Sequence, residues 1–182
     1  MNVDDQDADL VTRARAGDVR ALEALLDRHQ AAVLRTLGAL GVAASDRDDL
    51  AQEVFIRVFR HLPRFRGESG FPAWLYRITV NVVHSYRSSR ATRREREQPW
   101  NPDLDDPADG RPGPQKQAEG DDLARRLEQA LERLSERERS VFVLREMEGL
   151  DTKAIASALG ITRITVRRHL GRARARIREF LE

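Results

Sequence analysis

The chain has 182 residues, with 34% charged, 40% hydrophobic and only 5% aromatic side chains, a formal net charge of +2 and no cysteine. This length fits one medium domain or two small ones, and the lack of cysteine excludes a disulfide framework, a thiolate zinc site and a cysteine nucleophile. No apolar run approaches the roughly 20 residues that cross a bilayer, and the acidic start, MNVDDQDADL, is unlike a signal peptide. These features predict a soluble, cytoplasmic protein that does not insert into the membrane.

Charge is divided unevenly along the chain. Residues 1–55 contain eleven acidic and six basic side chains, whereas residues 56–96 contain ten arginines against Glu68 and Glu95. Residues 97–121 are acidic again and include five prolines, which lack an amide donor and exclude a helix interior or a central strand. This segment has little to bury and is predicted to be a flexible linker. We therefore expect an all-α fold of two small helical domains, residues 1–95 and 122–182, joined by a linker over residues 96–121.

In the first domain, residues 46–62, DRDDLAQEVFIRVFRHL, are predicted to form a helix. Its core stripe is formed by Ala51, Val54, Phe55, Val58 and Leu62. Its start carries the acidic residues Asp46, Asp48, Asp49 and Glu53. Capping of the positive helix end explains these charges better than a metal site does. Ile56 and Phe59 lie off the stripe, so the helix is either sandwiched between neighbours or offers a surface to a partner, and periodicity alone favours burial.

A loop rich in glycine, basic and aromatic residues follows at residues 63–71, PRFRGESGF. The helix after it has a buried stripe of Phe71, Leu75, Ile78 and Val82. An adjoining face carries Trp74, Arg77, Asn81 and His84, and further arginines follow. This pattern suits single-stranded nucleic acid, because arginines meet phosphates and flat rings stack on unpaired bases. The alternative is that Trp74 fills the core and the arginines are solvated.

The second domain is predicted to contain four short helices. The first has a stripe of Leu123, Leu127, Ala130, Leu131 and Leu134. Ser135 and Glu138 form a capping box at the start of the second helix, which stops at Gly149. Asp151 or Thr152 caps the third helix, which runs through Leu159, and Thr162 caps the fourth.

Residues 150–178 have the spacing of a helix-turn-helix. Ala156 occupies the helix crossing, and Gly160 allows the left-handed turn that ends the first helix. The second helix has an apolar stripe of Val166, Leu170, Ala173 and Ile177. Seven arginines surround this stripe, and no acidic residue lies between Lys153 and Arg178. The expected partner is a polyanion, and a solvated basic face is the alternative.

Two runs of the chain together resemble a bacterial RNA polymerase sigma factor. They are DDLAQEVFIRVFRHLPRFRGESGFPAWLYRITVN and LSERERSVFVLREMEGLDTKAIASALGITRITVRRHLGRARARI. The short two-domain form resembles the extracytoplasmic-function (ECF) group of the sigma-70 family. The resemblance implies a subunit that binds core RNA polymerase, recognises the −10 and −35 promoter elements, and promotes DNA melting and transcription initiation. Such a protein is not itself an enzyme, so no catalytic residue, metal or cofactor is expected.

The resemblance also assigns surfaces to residues of this chain. Those expected to bind core polymerase are Asp48, Asp49, Gln52, Glu53, Ile56 and Phe59. Those expected to bind and melt the −10 element are Phe65, Arg66, Ser69, Phe71, Trp74, Arg77, Asn81, His84 and Arg87. Those expected to bind the −35 element are Thr162, Arg163, Thr165, Arg167, Arg168, Arg172 and Arg174. The implied partners are the β′ and β subunits of core polymerase, promoter DNA in double-stranded and melted form, and an anti-sigma factor, with a monomer when free.

Some positions depart from the family pattern. Ser85 and Val80 stand where the family commonly has an aspartate and an arginine, and Arg163 and Ile164 stand where it often has small residues. These departures point to an individual promoter sequence. The alternative function is a helix-turn-helix regulator that is not a polymerase subunit, which explains the second domain but not the face around Trp74. The chain has no phosphate-binding glycine loop or nucleophile elbow that would indicate an enzyme.

Overall fold

All of the described secondary structure is helical, as expected. The computed structural model describes residues 3–67, 70–97 and 120–181. Its α-helices are α1 (Val3–Arg15), α2 (Val19–Ala39), α3 (Ala44–His61), α4 (Phe71–Glu97), α5 (Gly120–Glu132), α6 (Glu136–Phe142), α7 (Thr152–Leu159) and α8 (Arg163–Leu181). A 3-10 turn, Leu62–Arg64, follows α3, and a π-helical turn, Val143–Met147, follows α6. Most of the linker predicted at residues 96–121 lies outside the described residues. None of the described helices is long and apolar enough to span a bilayer.

The N-terminal helices pack around α2. Asp18 caps this helix, because its side chain accepts a hydrogen bond of 3.1 Å from the amide of Ala21. Helix α1 lies against α2 and inserts the carboxylate of Asp7, which is 2% exposed. That carboxylate accepts a hydrogen bond of 2.9 Å from Nη1 of Arg28 and lies 2.8 Å from Nε2 of His29. The two contacts satisfy a buried polar group that would otherwise destabilise the bundle.

Helix α3 begins at Ala44, two residues before the expected start at Asp46. Its N-cap residue, Ala43, makes no side-chain capping bond, and of the acidic cluster only Asp46 lies in the first turn, where the helix dipole favours its charge as expected. Ala44 is a strong helix former and begins the helix earlier than expected, which moves Asp48 and Asp49 beyond the first turn. The core stripe is confirmed at Ala51, Val54, Val58 and Leu62, whereas Phe55 is only partly buried.

Helix α4 is buried on two opposite sides. The expected stripe of Phe71, Leu75, Ile78 and Val82 is confirmed. A second buried row, which the sequence analysis missed, consists of Ala73, Tyr76, Val80 and Val83. It arises because α4 contacts α2 and α3 and also contacts α7 of the C-terminal half.

Polar contacts also join the two halves of the protein. The hydroxyl of Thr36 in α2 donates a hydrogen bond of 2.7 Å to Oε1 of Glu148. Burial, and then the neighbouring Glu148, raise the pKa of the Tyr76 phenol. The buried hydrophobic residues of both halves form one continuous cluster. The C-terminal helices therefore rest on α2 and α4 in this conformation.

The helix boundaries of the C-terminal half follow the expected caps. Ser135 and Glu138 form a reciprocal capping box at the start of α6. The side chain of Asp151 accepts a hydrogen bond of 2.7 Å from the amide of Ala154 and caps α7. Gly160 ends α7 in the left-handed region, with φ of 63°, where a Cβ would be strained. Thr162 caps α8 by accepting a hydrogen bond of 3.1 Å from the amide of Thr165.

Candidate functional site

An open groove of about 680 Å³ runs between α2 and α3. Residues of α2 that line it are Leu22, Leu26, Gln30 and Leu34, and residues of α3 are Asp48, Ala51, Gln52, Phe55, Ile56 and Phe59. Phe59 is 65% exposed and Ile56 is 37% exposed. The burial that periodicity favoured for these two residues is therefore wrong, because they face the groove and solvent rather than a neighbouring helix.

The groove contains four of the six residues expected to bind polymerase, namely Asp48, Gln52, Ile56 and Phe59. Asp49 is exposed outside the groove, and Glu53 pairs with Arg57 at 2.7 Å between Oε1 and Nε. The α2 wall was missed by sequence reasoning. A signal for it exists, since Leu22, Leu26 and Leu34 each follow directly after a position of the buried α2 stripe. The apolar face of α2 is therefore wider than the surface that one neighbouring helix can cover.

Three aromatic rings hold the two ends of the loop between α3 and α4. The ring centroids of Phe65 and Trp74 are 4.9 Å apart, those of Phe71 and Trp74 are 5.8 Å apart, and those of Phe65 and Phe71 are 6.2 Å apart. His29 of α2 supports this cluster, with its ring centroid 5.2 Å from that of Phe71. Phe65 is 7% exposed and Phe71 is 4% exposed. In this conformation both rings are almost fully buried, where they pack on each other and on Trp74, and the contact with DNA expected for them stays a prediction.

The polar residues around this cluster are accessible. Arg66, Arg77 and Asn81 are exposed, and Trp74 is half-buried at the edge of the aromatic cluster. Ser69, also expected to contact the −10 element, lies outside the described residues. The accessible group therefore combines one ring edge, two guanidinium groups and one carboxamide on the loop and on one side of α4.

His84 and Arg87, the last two residues expected to contact the −10 element, are engaged by the C-terminal half. Oε1 of Glu136 lies 2.7 Å from Nδ1 of His84 and 3.1 Å from Nη1 of Arg87. Arg87 also donates to the backbone carbonyl of Leu40. Arg139 of α6 approaches the same carbonyl, and burial and then Arg87 lower the pKa of its guanidinium. In this conformation the face expected to bind DNA is therefore divided into an accessible part and a part held by α6.

The α7–α8 pair has helix-turn-helix geometry. Of the α8 stripe, Val166, Ala173 and Ile177 are buried and Leu170 is partly buried, as expected. Ala156 packs against the same core. Thr162 and Thr165 sit at the start of α8 with their hydroxyl oxygens 2.9 Å apart. The arginines of the N-terminal half of α8 are exposed, while Val166 packs inward.

Six of the seven arginines of this segment divide into two groups, and the seventh, Arg178, is exposed near the C-terminal end of α8. Arg163, Arg167, Arg168 and Arg172 are exposed on the N-terminal half of α8. Arg174, expected to contact DNA, instead pairs with Glu146 at 2.6 Å, and Arg176 pairs with Glu138 at 2.5 Å. The acidic partners precede Lys153 in the chain, so a local count of charge could not reveal them. Desolvation, and then Arg168, lower the pKa of His169 on the same helix.

Comparisons with known proteins agree on one family. The family described as "Sigma-70 region 2" matches residues 25–93, and the family described as "Sigma-70, region 4" matches residues 124–177. The RNA polymerase sigma-H factor of Pseudomonas aeruginosa is 32% identical over 194 residues, covering 100% of this chain and 97% of that protein. The ECF RNA polymerase sigma-E factor of Haemophilus influenzae is 32% identical over 181 residues, covering 97% and 95% respectively.

The fold comparison agrees with these relatives. The solved structure of CnrH in complex with the cytosolic domain of CnrY has a TM-score of 0.70 and 29% identity to this protein, and the match covers 97% of each chain. The sequence matches span both helical halves and include the groove helices, the aromatic loop and the helix-turn-helix. The chain therefore belongs to the sigma-70 family, in its extracytoplasmic-function group of RNA polymerase sigma factors.

Proposed function

We propose that the protein binds core RNA polymerase through the groove between α2 and α3. The single observation that carries this proposal is the exposure of Phe59, at 65%, beside Ile56 in an open apolar groove. Large exposed apolar groups rimmed by polar residues are typical of protein interaction sites. Asp48 and Gln52 supply that polar rim, and an α-helical partner segment fits such a groove.

The same protein has two surfaces for promoter DNA. Trp74, Arg66, Arg77 and Asn81 form the surface for a melted −10 strand, because a ring edge and guanidinium groups can hold an unstacked base and its phosphates. The exposed N-terminal half of α8 is the surface for −35 duplex, since the N-terminal residues of a recognition helix enter the major groove. The polymerase then carries out the nucleotidyl transfer, and this chain supplies binding and strand opening.

Full use of the −10 surface requires a change of conformation. Glu136 pairs with both His84 and Arg87 in the described state. These two side chains reach DNA only after the pairs break and α6 moves away from α4. We propose that polymerase binding supplies the free energy for this separation, since linked domains that each contact the enzyme can hold the open arrangement.

An anti-sigma factor is the proposed regulator. Support comes from the solved complex in which CnrH, similar to this chain over nearly its whole length, is bound to the cytosolic domain of CnrY. A partner that covers the α2–α3 groove would compete directly with polymerase for Ile56 and Phe59.

The decisive experiment is run-off transcription from a pool of genomic fragments. Core polymerase with this protein is expected to give new transcripts with defined start sites, and core polymerase alone is not. The matched control is the double variant Ile56→Ala and Phe59→Ala, which should lose the transcripts while its helices remain folded. If the wild-type protein adds no transcript at any concentration, the proposal fails.

A DNA-binding assay distinguishes the proposed function from the alternative, a helix-turn-helix regulator that acts without joining polymerase. Such a protein binds its duplex site alone, often as a dimer on two half-sites. The proposed function predicts weak binding to the promoter duplex until core polymerase is added. Tight binding without polymerase favours the regulator.

A further inference from the structure

The most exposed large apolar side chain that the structure describes is Ile164, with 76% of its surface accessible. It is the second residue of α8, in the first turn of the recognition helix. Its position differs from that of Phe59 and Ile56, whose exposure is explained by the groove. The α7–α8 core provides no packing role for the Ile164 side chain, which points to a contact made outside the protein.

The orientation of α8 defines what Ile164 faces. Residues advance by about 100° per position around a helix, so Ile164 lies on the side opposite the buried stripe of Val166, Ala173 and Ile177. Arg168 follows it by four positions and shares its side. Gly171 comes next on this side, and open space surrounds the position that its Cβ would occupy. Along the outward side of α8, the branched apolar side chain of Ile164 is followed by the guanidinium group of Arg168 and then by Gly171, which has no side chain.

The chemistry of the DNA major groove leaves few partners for such a side chain. Base edges there present hydrogen-bond donors and acceptors, and the C5 methyl group of thymine is the apolar feature among them. Ile164 cannot form hydrogen bonds, and it would desolvate a polar base edge without compensation. The neighbouring hydroxyl groups of Thr162 and Thr165 already contact each other within the helix cap, 2.9 Å apart.

We propose that Ile164 is a specificity-determining residue that selects thymine, through its C5 methyl group, at one position of the −35 element. The inference rests on the proposed function, in which α8 enters the major groove of the promoter. Arg168, on the same side of the helix, then holds the neighbouring phosphate or base edge and fixes the register of that contact.

The test uses holoenzyme assembled from core polymerase and the full chain. Repeated selection from a random duplex library first gives the preferred −35 sequence. Each thymine of that sequence is then replaced in turn by deoxyuridine, which removes only the methyl group. At one position the wild-type holoenzyme is expected to lose about fourfold in affinity, the equivalent of one buried methyl group. The variant Ile164→Ala should bind the thymine and deoxyuridine duplexes equally at that position.

Two control variants separate contact from general effects. Val19→Ala removes an apolar side chain that is 64% exposed on α2, and it should leave the deoxyuridine penalty unchanged. Arg168→Ala should weaken binding to both duplexes. Because Ile164 is exposed, its alanine variant should keep its stability within about 0.5 kcal/mol, which thermal unfolding verifies.

The outcomes distinguish the inference from the function beneath it. If the holoenzyme selects a −35 sequence but no deoxyuridine replacement weakens it, or if Ile164→Ala keeps the penalty, the role of Ile164 is wrong and the proposed function stands. If the holoenzyme selects no sequence at all, the proposed function itself fails, and the inference fails with it.

Discussion

The carboxylate of Glu136 lies 2.7 Å from the imidazole Nδ1 of His84, and it thereby ties α6 to the side of α4 that we propose binds DNA. The same carboxylate reaches Arg87 at 3.1 Å. One acidic side chain thus occupies two groups that are expected to meet DNA. The Glu136 carboxylate accepts hydrogen bonds from the guanidinium group and the ring nitrogen, as a DNA phosphate would.

Glu136→Gln should raise the affinity of the free protein for single-stranded DNA. A partly exposed ion pair contributes about 0.2–1 kcal/mol, so the expected gain in affinity is about 1.4- to fivefold at low salt. Fluorescence anisotropy of a labelled single strand measures it. Glu128→Gln on α5 changes the net charge equally without touching α4 and serves as the control. If both variants bind single-stranded DNA with equal affinity, Glu136 does not compete with DNA for His84 and Arg87.

Asp7→Ala should destabilise the N-terminal bundle. The change leaves the buried Nε2 of His29 without its partner, which costs about 1–3 kcal/mol. Asp9→Ala, two residues along α1, removes a carboxylate whose side chain is 68% exposed and should shift stability by about 0.5 kcal/mol or less. Urea unfolding of both variants compares them. A loss no larger for Asp7 than for Asp9 would mean that the buried contact adds nothing to stability.

The glycines of the helix-turn-helix should respond in opposite directions to alanine. An added Cβ at Gly160 or Gly171 meets no atom within 4 Å, so crowding affects neither variant. Gly160 has φ of 63°, and Gly160→Ala should cost about 1–2 kcal/mol through backbone strain. Gly171 lies inside α8, and Gly171→Ala should add about 0.5–1 kcal/mol of stability. Thermal unfolding measures both, and a stable Gly160→Ala variant would contradict the strained turn.

Phe59→Ala and Phe65→Ala should separate polymerase binding from folding. Phe59 is 65% exposed, so its variant should keep its stability and lose about tenfold or more in affinity for core polymerase, as an interface anchor does. Phe65 is 7% exposed, and its variant should lose about 3–5 kcal/mol of stability. Titration with labelled core polymerase and urea unfolding provide the two measurements. Full polymerase affinity in Phe59→Ala would exclude the groove as the docking site.

The sequence predicted most reliably those features that depend on neighbouring residues. The caps at Ser135, Asp151 and Thr162 and the turn at Gly160 all involve partners within four positions, and each was confirmed. The start of α3 was the local exception, because Ala44 begins the helix two residues earlier than expected and leaves only Asp46 of the acidic cluster in its first turn.

Features that depend on distant parts of the chain could not be predicted. Val80 and Val83 lie on the second buried side of α4, and α7, about seventy positions later, packs on this helix. The pairing of Arg174 with Glu146, which lies 28 positions earlier, could not be predicted for the same reason. Periodicity reports how many sides of a helix are apolar, but it does not report whether a neighbour or an open groove covers each side. Phe59 shows that difference directly.

Helix α2 links two activities that experiments would otherwise treat as independent. Gln30 lines the groove, and His29, its immediate neighbour, supports the ring of Phe71 at the end of the loop. Because adjacent residues share one helical backbone, a substitution in the α2 wall that shifts the helix is expected to shift both surfaces. Genetic screens for polymerase-binding defects are therefore expected to recover some strand-opening defects on α2 as well.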